Sequence, residues 1–199
     1  EIRELQRNTV DRLFSSDRKK RVFETIDGLL RELELILTGV ELVQECSPRS
    51  LDLIASFGER LSCTVFSEFL LEQGHKAWMF DTRDAIVTND RFGSASVQFE
   101  PTYRNIAAKL QSAEGIAVIT GFIGRSKEGI TTTLGRNGSD YTASLVGAAV
   151  GAEKVEIWTD VDGVLSANPK LVKNAFVIKE LNFQEAMELS YFGAEVIHP

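Results

Sequence analysis

From residue 116 onward the chain alternates between two periods. The run 116–120 is short and unbroken in apolar character, a helical pattern follows over 139–150, a second β-like run covers 155–159, and another helical pattern covers 184–192. A strand that is apolar on both sides must be buried on both faces, and a strand–helix–strand order supplies the helices that cover it. Right-handed crossovers then give an α/β layered fold around a mostly parallel sheet. Before that, 76–80, 85–88 and 96–99 are short β-like runs separated by polar turns, and 103–110 reads as a helix. The chain therefore divides into a helical portion, 1–73, and an α/β portion, 74–199.

In the helical portion, Ile2, Leu5, Leu13 and Phe14 form a loose stripe. After the capping cluster Ser15-Ser16-Asp17, a longer stripe runs Val22, Phe23, Ile26, Leu29, Leu30, Leu33, Ile36, Leu37, Val40. Ser47-Pro48 is expected to break it, with helix resuming over 51–72 and Phe57-Gly58 interrupting that second run. The 22 basic and 29 acidic residues leave a net charge of −7, an acidic balance that argues against bulk attraction to nucleic acid or anionic membrane. Hydrophobic residues at 43% and charged residues at 26% exclude a disordered chain, a collagen-like repeat and a disulfide scaffold. No apolar run approaches the ~18 residues a membrane span needs. The start, Glu1-Ile2-Arg3-Glu4, has neither a signal core nor an initiator Met and is expected to lie inside a longer polypeptide. Cys46 and Cys63 are expected to be buried free thiols of a reducing compartment, and His75 and His198 have no neighbours at ligand spacing, so no metal site built from side chains alone is expected.

Chemistry concentrates between Gly121 and Gly138, where five of the 15 glycines fall after an apolar strand and before a helix. Ligands of open α/β sheets bind beyond the carboxyl ends of the strands, and glycines there let backbone N–H groups approach an anion. The stretch Gly124-Arg125-Ser126-Lys127-Glu128-Gly129-Ile130-Thr131 has P-loop spacing, but Ile130 stands where the P-loop needs lysine. Gly135-Arg136-Asn137-Gly138-Ser139-Asp140 is sharper. Arg136 offers a planar fork of donors to a carboxylate or phosphate, while Ser139 and Asp140 can either cap the following helix or serve the site. Thr159-Asp160-Val161-Asp162-Gly163 ends a β-like run in two carboxylates and a glycine turn, which suits either a polar turn or contacts to a nucleotide and its Mg²⁺.

The segments GFIGRSKEGITTTLGRNGSDYTA, IWTDVDGV and LNFQEAMELSYFGAEVIHP, with Phe57-Gly58-Glu59 upstream, resemble the catalytic domain of the aspartate kinase family within the amino-acid-kinase superfamily. The resemblance covers at least 56–199. It implies a three-layer α/β/α sandwich and transfer of the γ-phosphoryl of MgATP, as co-substrate and with no tightly bound cofactor, to the side-chain carboxylate of L-aspartate. The product would be 4-phospho-L-aspartate, on the way to lysine, threonine and methionine. By position, Glu59 would hold the substrate ammonium and Arg136 a carboxylate, with Ser139 beside them. Asp140 would organise the catalytic cations, and Thr159, Asp160, Gly163 and Lys170 would meet the nucleotide. A cytoplasmic homo-oligomer is implied, or a plastid protein in a plant. Residues 188–193 look most like the bifunctional enzymes that also carry a homoserine dehydrogenase.

The family's opening Lys-Phe-Gly-Gly-Thr-Ser motif and its regulatory ACT domains are not in this stretch, so an internal piece of a kinase domain is expected. Leu165, Asn168 and Lys170 stand where the family commonly has Tyr, Asp and Arg, and Glu195 stands where a lysine normally reaches the ATP phosphates. A carboxylate in place of that cation reverses a close interaction of ~1 kcal/mol in water and more when partly buried. These departures motivate the alternative of a kinase-fold binding or regulatory subunit with an impaired nucleotide site.

Overall fold

A computed structural model describes residues 1–159, 162–168 and 170–191. Residues 1–152 and 153–199 form two separate compact units.

The first unit opens with three helices, α1 (Ile2–Leu13), α2 (Ser16–Val43) and α3 (Pro48–Glu72). Their apolar stripes meet in a core of Val10, Phe14, Val22, Ile26, Leu30, Leu61 and Val65. The break between α2 and α3 lies at 44–47, but helix resumes three residues earlier than the apolar pattern predicts. Ser47 is the N-cap, accepting from the Ser50 N–H at 3.2 Å, and Pro48 occupies the first turn, where its missing N–H costs nothing. Phe57-Gly58 does not interrupt α3. A helical glycine costs about 1 kcal/mol, whereas Phe57 is almost fully buried and anchors the helix there.

Strands β1 (Ala77–Phe80) and β3 (Ile116–Ile119) pair in parallel, Ala77 opposite Ile116 and Phe80 opposite Ile119. A second sheet has the order β2 (Val87–Thr88), β4 (Ile123–Ser126), β5 (Thr131–Thr133), with β2 parallel and β5 antiparallel to β4. The expected strand over 85–88 is shorter because Thr82–Asp84 turns as a 3-10 helix, with Asp81 accepting from the Arg83 N–H. The run 96–99 contributes only a bridge from Val97 to Thr88, since Phe99 already begins α4 (Phe99–Leu110). Helix α3 packs on β1, β3 and β5. Helices α4 and α5 (Gly138–Val150) pack together around a second core of Phe80, Ile86, Ile106, Leu134 and Leu145. Helices and parallel-containing sheets in these layers are the α/β arrangement expected.

Two further expectations fail in the first unit. Cys46 is exposed in the α2–α3 connection, outside any helix, while Cys63 is buried in α3; both are free thiols. Burial first, then the negative Glu59 and Asp81 carboxylates, push the Cys63 thiol up to about 11. A thiol reagent such as Ellman's at pH 8 is therefore expected to modify Cys46 of this chain at once and Cys63 only after denaturation. Two rapidly reacting thiols in the native chain would refute this assignment. Second, Gly121–Gly138 is mostly a β-hairpin, not an open glycine loop. The N–H groups of Ile123, Arg125, Ser126 and Leu134 all go to backbone carbonyls, and only the stretch after Leu134 leaves the sheet. Gly129 turns the hairpin at φ +80°.

The second unit holds α6 (Phe183–Tyr191), close to the helix expected over 184–192, and a bridge between Leu165 and Val177. The strand expected over 155–159 does not form. Those residues are irregular, with Trp158 89% exposed and Ile157 46%. A β-like run gains its stability from a ladder with a neighbour, and the described residues of this unit pair only through that one bridge. Asp160 and Glu195 lie outside the described residues. Among the described residues no helix is long and apolar enough to cross a membrane.

Candidate functional site

The carboxyl ends of β1 and β3 are tied by a knot of buried hydroxyls. The Thr82 N–H donates to Thr120 Oγ1 at 2.8 Å, and the Thr82 hydroxyl lies 3.0 Å from the Thr120 carbonyl and 2.8 Å from that of Ile123. Both threonines are fully buried. Satisfied in this way, they fix where the chain leaves β3, and the next residue is Gly121.

Gly121 is the meeting point of two predicted site residues. Its backbone amide lies close enough to the Glu59 carboxyl, which comes from α3 and is half-buried, to favour the ionised form. Burial raises the Glu59 carboxyl above its ordinary value, and the Gly121 amide opposes that rise. On its other side Gly121 faces Ser139. A Cβ at position 121 would lie 2.7 Å from Ser139 Oγ and 3.0 Å from its Cα, so only glycine lets α5 approach β3 this closely. Phe122, at φ +67°, turns the chain away and donates its N–H to Thr142 Oγ1 at 3.1 Å. The spacing of Glu59 from Gly121 conceals this meeting; a glycine directly after an apolar strand was the available signal, although that strand is less buried than its composition predicts, with Ile116 46% exposed.

The sequence left Ser139 and Asp140 as either caps or site residues. The N-cap of α5 is Asn137, in the left-handed region at φ +55°. Ser139 and Asp140 fall inside the first helical turn, so capping does not account for either. Ser139 is exposed and Asp140 half-buried, and an acidic residue there favours the positive end of the helix dipole. Arg136 is exposed in the loop between Gly135 and Asn137. Glu59, Ser139 and Gly121 are thus brought together, and Arg136 and Asp140 flank Ser139 in the chain.

The other predicted positions belong to the second unit. Thr159 is exposed in the irregular stretch. Gly163 has φ +135°, and a Cβ there would stand 3.2 Å from Val177 Cγ1. Lys170 is exposed, with its N–H donating to Asn168 Oδ1 at 2.9 Å. Asn168 therefore stabilises its own turn, which explains how an Asn is accommodated at this position. Among the described residues no group of three or more His, Cys, Asp or Glu side chains could hold a metal ion.

The chain is similar to known aspartokinases. Aspartokinase 1, chloroplastic, of Arabidopsis thaliana is 40% identical over 176 residues, covering 85% of this chain and 31% of that protein. The lysine-sensitive aspartokinase 3 of Escherichia coli (strain K12) is 41% identical over 178 residues, covering 88% of this chain and 39% of that one. The crystal structure of E. coli aspartokinase III in complex with aspartate and ADP (R-state) superposes with a TM-score of 0.91 at 39% identity, over 100% of this chain and 44% of that chain. The T-state of the same enzyme, in complex with lysine and aspartate, gives 0.86. This chain spans less than half the length of each of these proteins. The amino acid kinase family model matches residues 3–199, and the chain belongs to that family.

Proposed function

We propose that the polypeptide carrying this chain is an aspartate kinase, which transfers the γ-phosphoryl of MgATP to the side-chain carboxylate of L-aspartate and yields 4-phospho-L-aspartate. The observation that carries this reading is the convergence of Glu59 and Ser139 on Gly121, at the carboxyl end of a parallel strand. The relative solved with aspartate and ADP, matched over the full length of this chain, supports the choice of both substrates.

In this reading Glu59 binds the aspartate ammonium, and the approach of that cation favours the ionised carboxylate against the pull of burial. Arg136 binds a carboxylate of the substrate through its fork of N–H donors, and Ser139 supplies a hydroxyl beside them. The attacking carboxylate is already ionised at neutral pH, so no general base is required. The protein's work is then to hold two anions in line and to offset their repulsion. Asp140, in the first turn of α5, would serve the magnesium that arrives with the nucleotide. Thr159, Asp160, Gly163 and Lys170 serve the nucleotide itself. The reading is of a cytoplasmic enzyme, or of a plastid enzyme in a plant, acting as a homo-oligomer.

The test is direct. The complete polypeptide is incubated with aspartate, MgATP and hydroxylamine, and aspartyl hydroxamate is measured. Product dependent on both substrates supports the reading, and its absence with folded protein refutes it. Glu195 in place of the usual lysine keeps one second reading alive, a kinase-fold subunit that binds without turnover. Under that reading Glu195→Lys would sharply tighten MgADP binding, while no change would count against it.

A further inference from the structure

Asp52 is a buried carboxylate to which the reaction assigns no role. It sits in the second turn of α3 and is 3% exposed. Three donors converge on it. The Gly93 N–H lies 3.0 Å from both of its oxygens, the Thr133 N–H lies 2.9 Å from Oδ2, and the Thr133 hydroxyl lies 2.8 Å from Oδ1. A buried carboxylate is tolerated when its lone pairs are filled in this way, and bonds to an ionised acceptor are the stronger kind.

What these donors belong to is informative. Thr133 ends β5, and two residues later Gly135, at φ +80°, passes so close to the 93–94 turn that a Cβ on it would stand 3.3 Å from Ser94 Cβ and 3.4 Å from the Gly93 carbonyl. The Ala95 N–H also donates to the Thr133 carbonyl, at 2.8 Å. Both walls of the passage through which the chain reaches Arg136 therefore hang from one carboxylate. That carboxylate stands seven residues before Glu59 on the same helix. Seven residues are two turns, ~10 Å along the axis and on nearly the same face. Helix α3 thus carries at one point the Glu59 carboxylate and at another the anchor of the Arg136 loop.

We propose that Asp52 is a positioning residue: it locks the loop bearing Arg136 to the helix bearing Glu59, and so sets the separation of the two groups that grip the amino-acid substrate. This rests on the aspartate-binding reading of Glu59 and Arg136. Asparagine at position 52 would keep the shape but set an N–H₂ against the Gly93 N–H whichever way it is oriented, because that N–H lies 3.0 Å from both oxygens, so the 93–94 turn must move.

The experiment compares the complete polypeptide with its Asp52→Asn, Thr133→Val and Thr133→Ser variants, measuring KM for aspartate, KM for MgATP, kcat and thermal stability. Asp52→Asn is expected to raise the aspartate KM about tenfold and Thr133→Val about threefold. Thr133→Ser, which keeps the hydroxyl, should restore the wild-type value, and the MgATP KM should stay within about twofold throughout. A purely structural role would lower the amount of active enzyme and the melting temperature without moving the aspartate KM, and that result in any folded Asp52→Asn or Thr133→Val variant overturns the proposal. Should Asp52→Asn fail to fold, Thr133→Val decides alone. Failure of the underlying function is separate, because the wild-type polypeptide would then show no aspartate-dependent turnover at all.

Discussion

Replacing Arg136 with alanine is expected to lower kcat/KM for aspartate about a thousandfold in the complete polypeptide, with the KM for MgATP changed by no more than about twofold. Three decades correspond to about 4 kcal/mol, within the range of about 2–5 kcal/mol found when one partner of a desolvated, hydrogen-bonded charge pair is truncated. The large figure follows from what alanine leaves behind: a substrate carboxylate stripped of water with no cation opposite. Arg136→Lys should recover about one decade, since the ammonium supplies the charge without the planar pair of donors. Initial rates of hydroxamate formation across aspartate concentrations measure both. If the alanine variant lost only MgATP affinity, Arg136 would belong to the phosphate side and the assignment of the amino-acid site would be wrong.

The second large effect is on the junction itself. Gly121→Ala is expected to destabilise the fold by about 2 kcal/mol, because overpacking of a closed contact costs about 1–3 kcal/mol. The new methyl would meet Ser139 Oγ at 2.7 Å and Ser139 Cβ at 2.8 Å, and Ser139 is held in the first turn of α5. Either α5 moves off β3 or Gly121 moves off Glu59, and each route disturbs the proposed substrate site. In a chain of 199 residues this corresponds to a fall in melting temperature of about 4–8 °C. Gly58→Ala is the opposite case. Nothing lies within 4 Å of a Cβ at that exposed position inside α3, so it should stabilise by about 0.5–1 kcal/mol through helix propensity. Differential scanning calorimetry of the two variants should show shifts of opposite sign, and a neutral Gly121→Ala would mean that α5 is free to slide.

Much of the fold was legible in the chain. The stripes of α1, α2 and α3 follow from 3.6-residue periodicity, and β3 from a run too short and too apolar to be anything else. The errors have identifiable causes. The turn at Thr82–Asp84 consumed half of a predicted strand because a 3-10 cap by Asp81 is a local option that alternation does not reveal. Glycine density between Gly121 and Gly138 suggested a loop, yet Gly121, Gly124 and Gly138 all serve close packing. A Cβ on Gly124 would stand 2.9 Å from Ile86, and one on Gly138 would stand 2.9 Å from Phe122. Glycine marks both a flexible turn and a tight contact, and composition does not separate them. The strand expected over 155–159 has the right residues, but a strand is completed only by a neighbouring ladder.

For the site, the residue types were readable and their meeting was not. Arg136, Ser139 and Asp140 stand close together in the chain, and Glu59 carried the motif that drew attention to it. That Gly121 joins Glu59 to Ser139, and that Asp52 reaches Thr133 across 81 residues, were decided by tertiary structure. The physical division is one of range. Periodicity, capping and turn chemistry act over a few residues and are written in the local sequence. Contacts between β3, α3 and α5 depend on how whole elements pack, and a carboxylate such as Asp52 acquires its role only when that packing removes it from water.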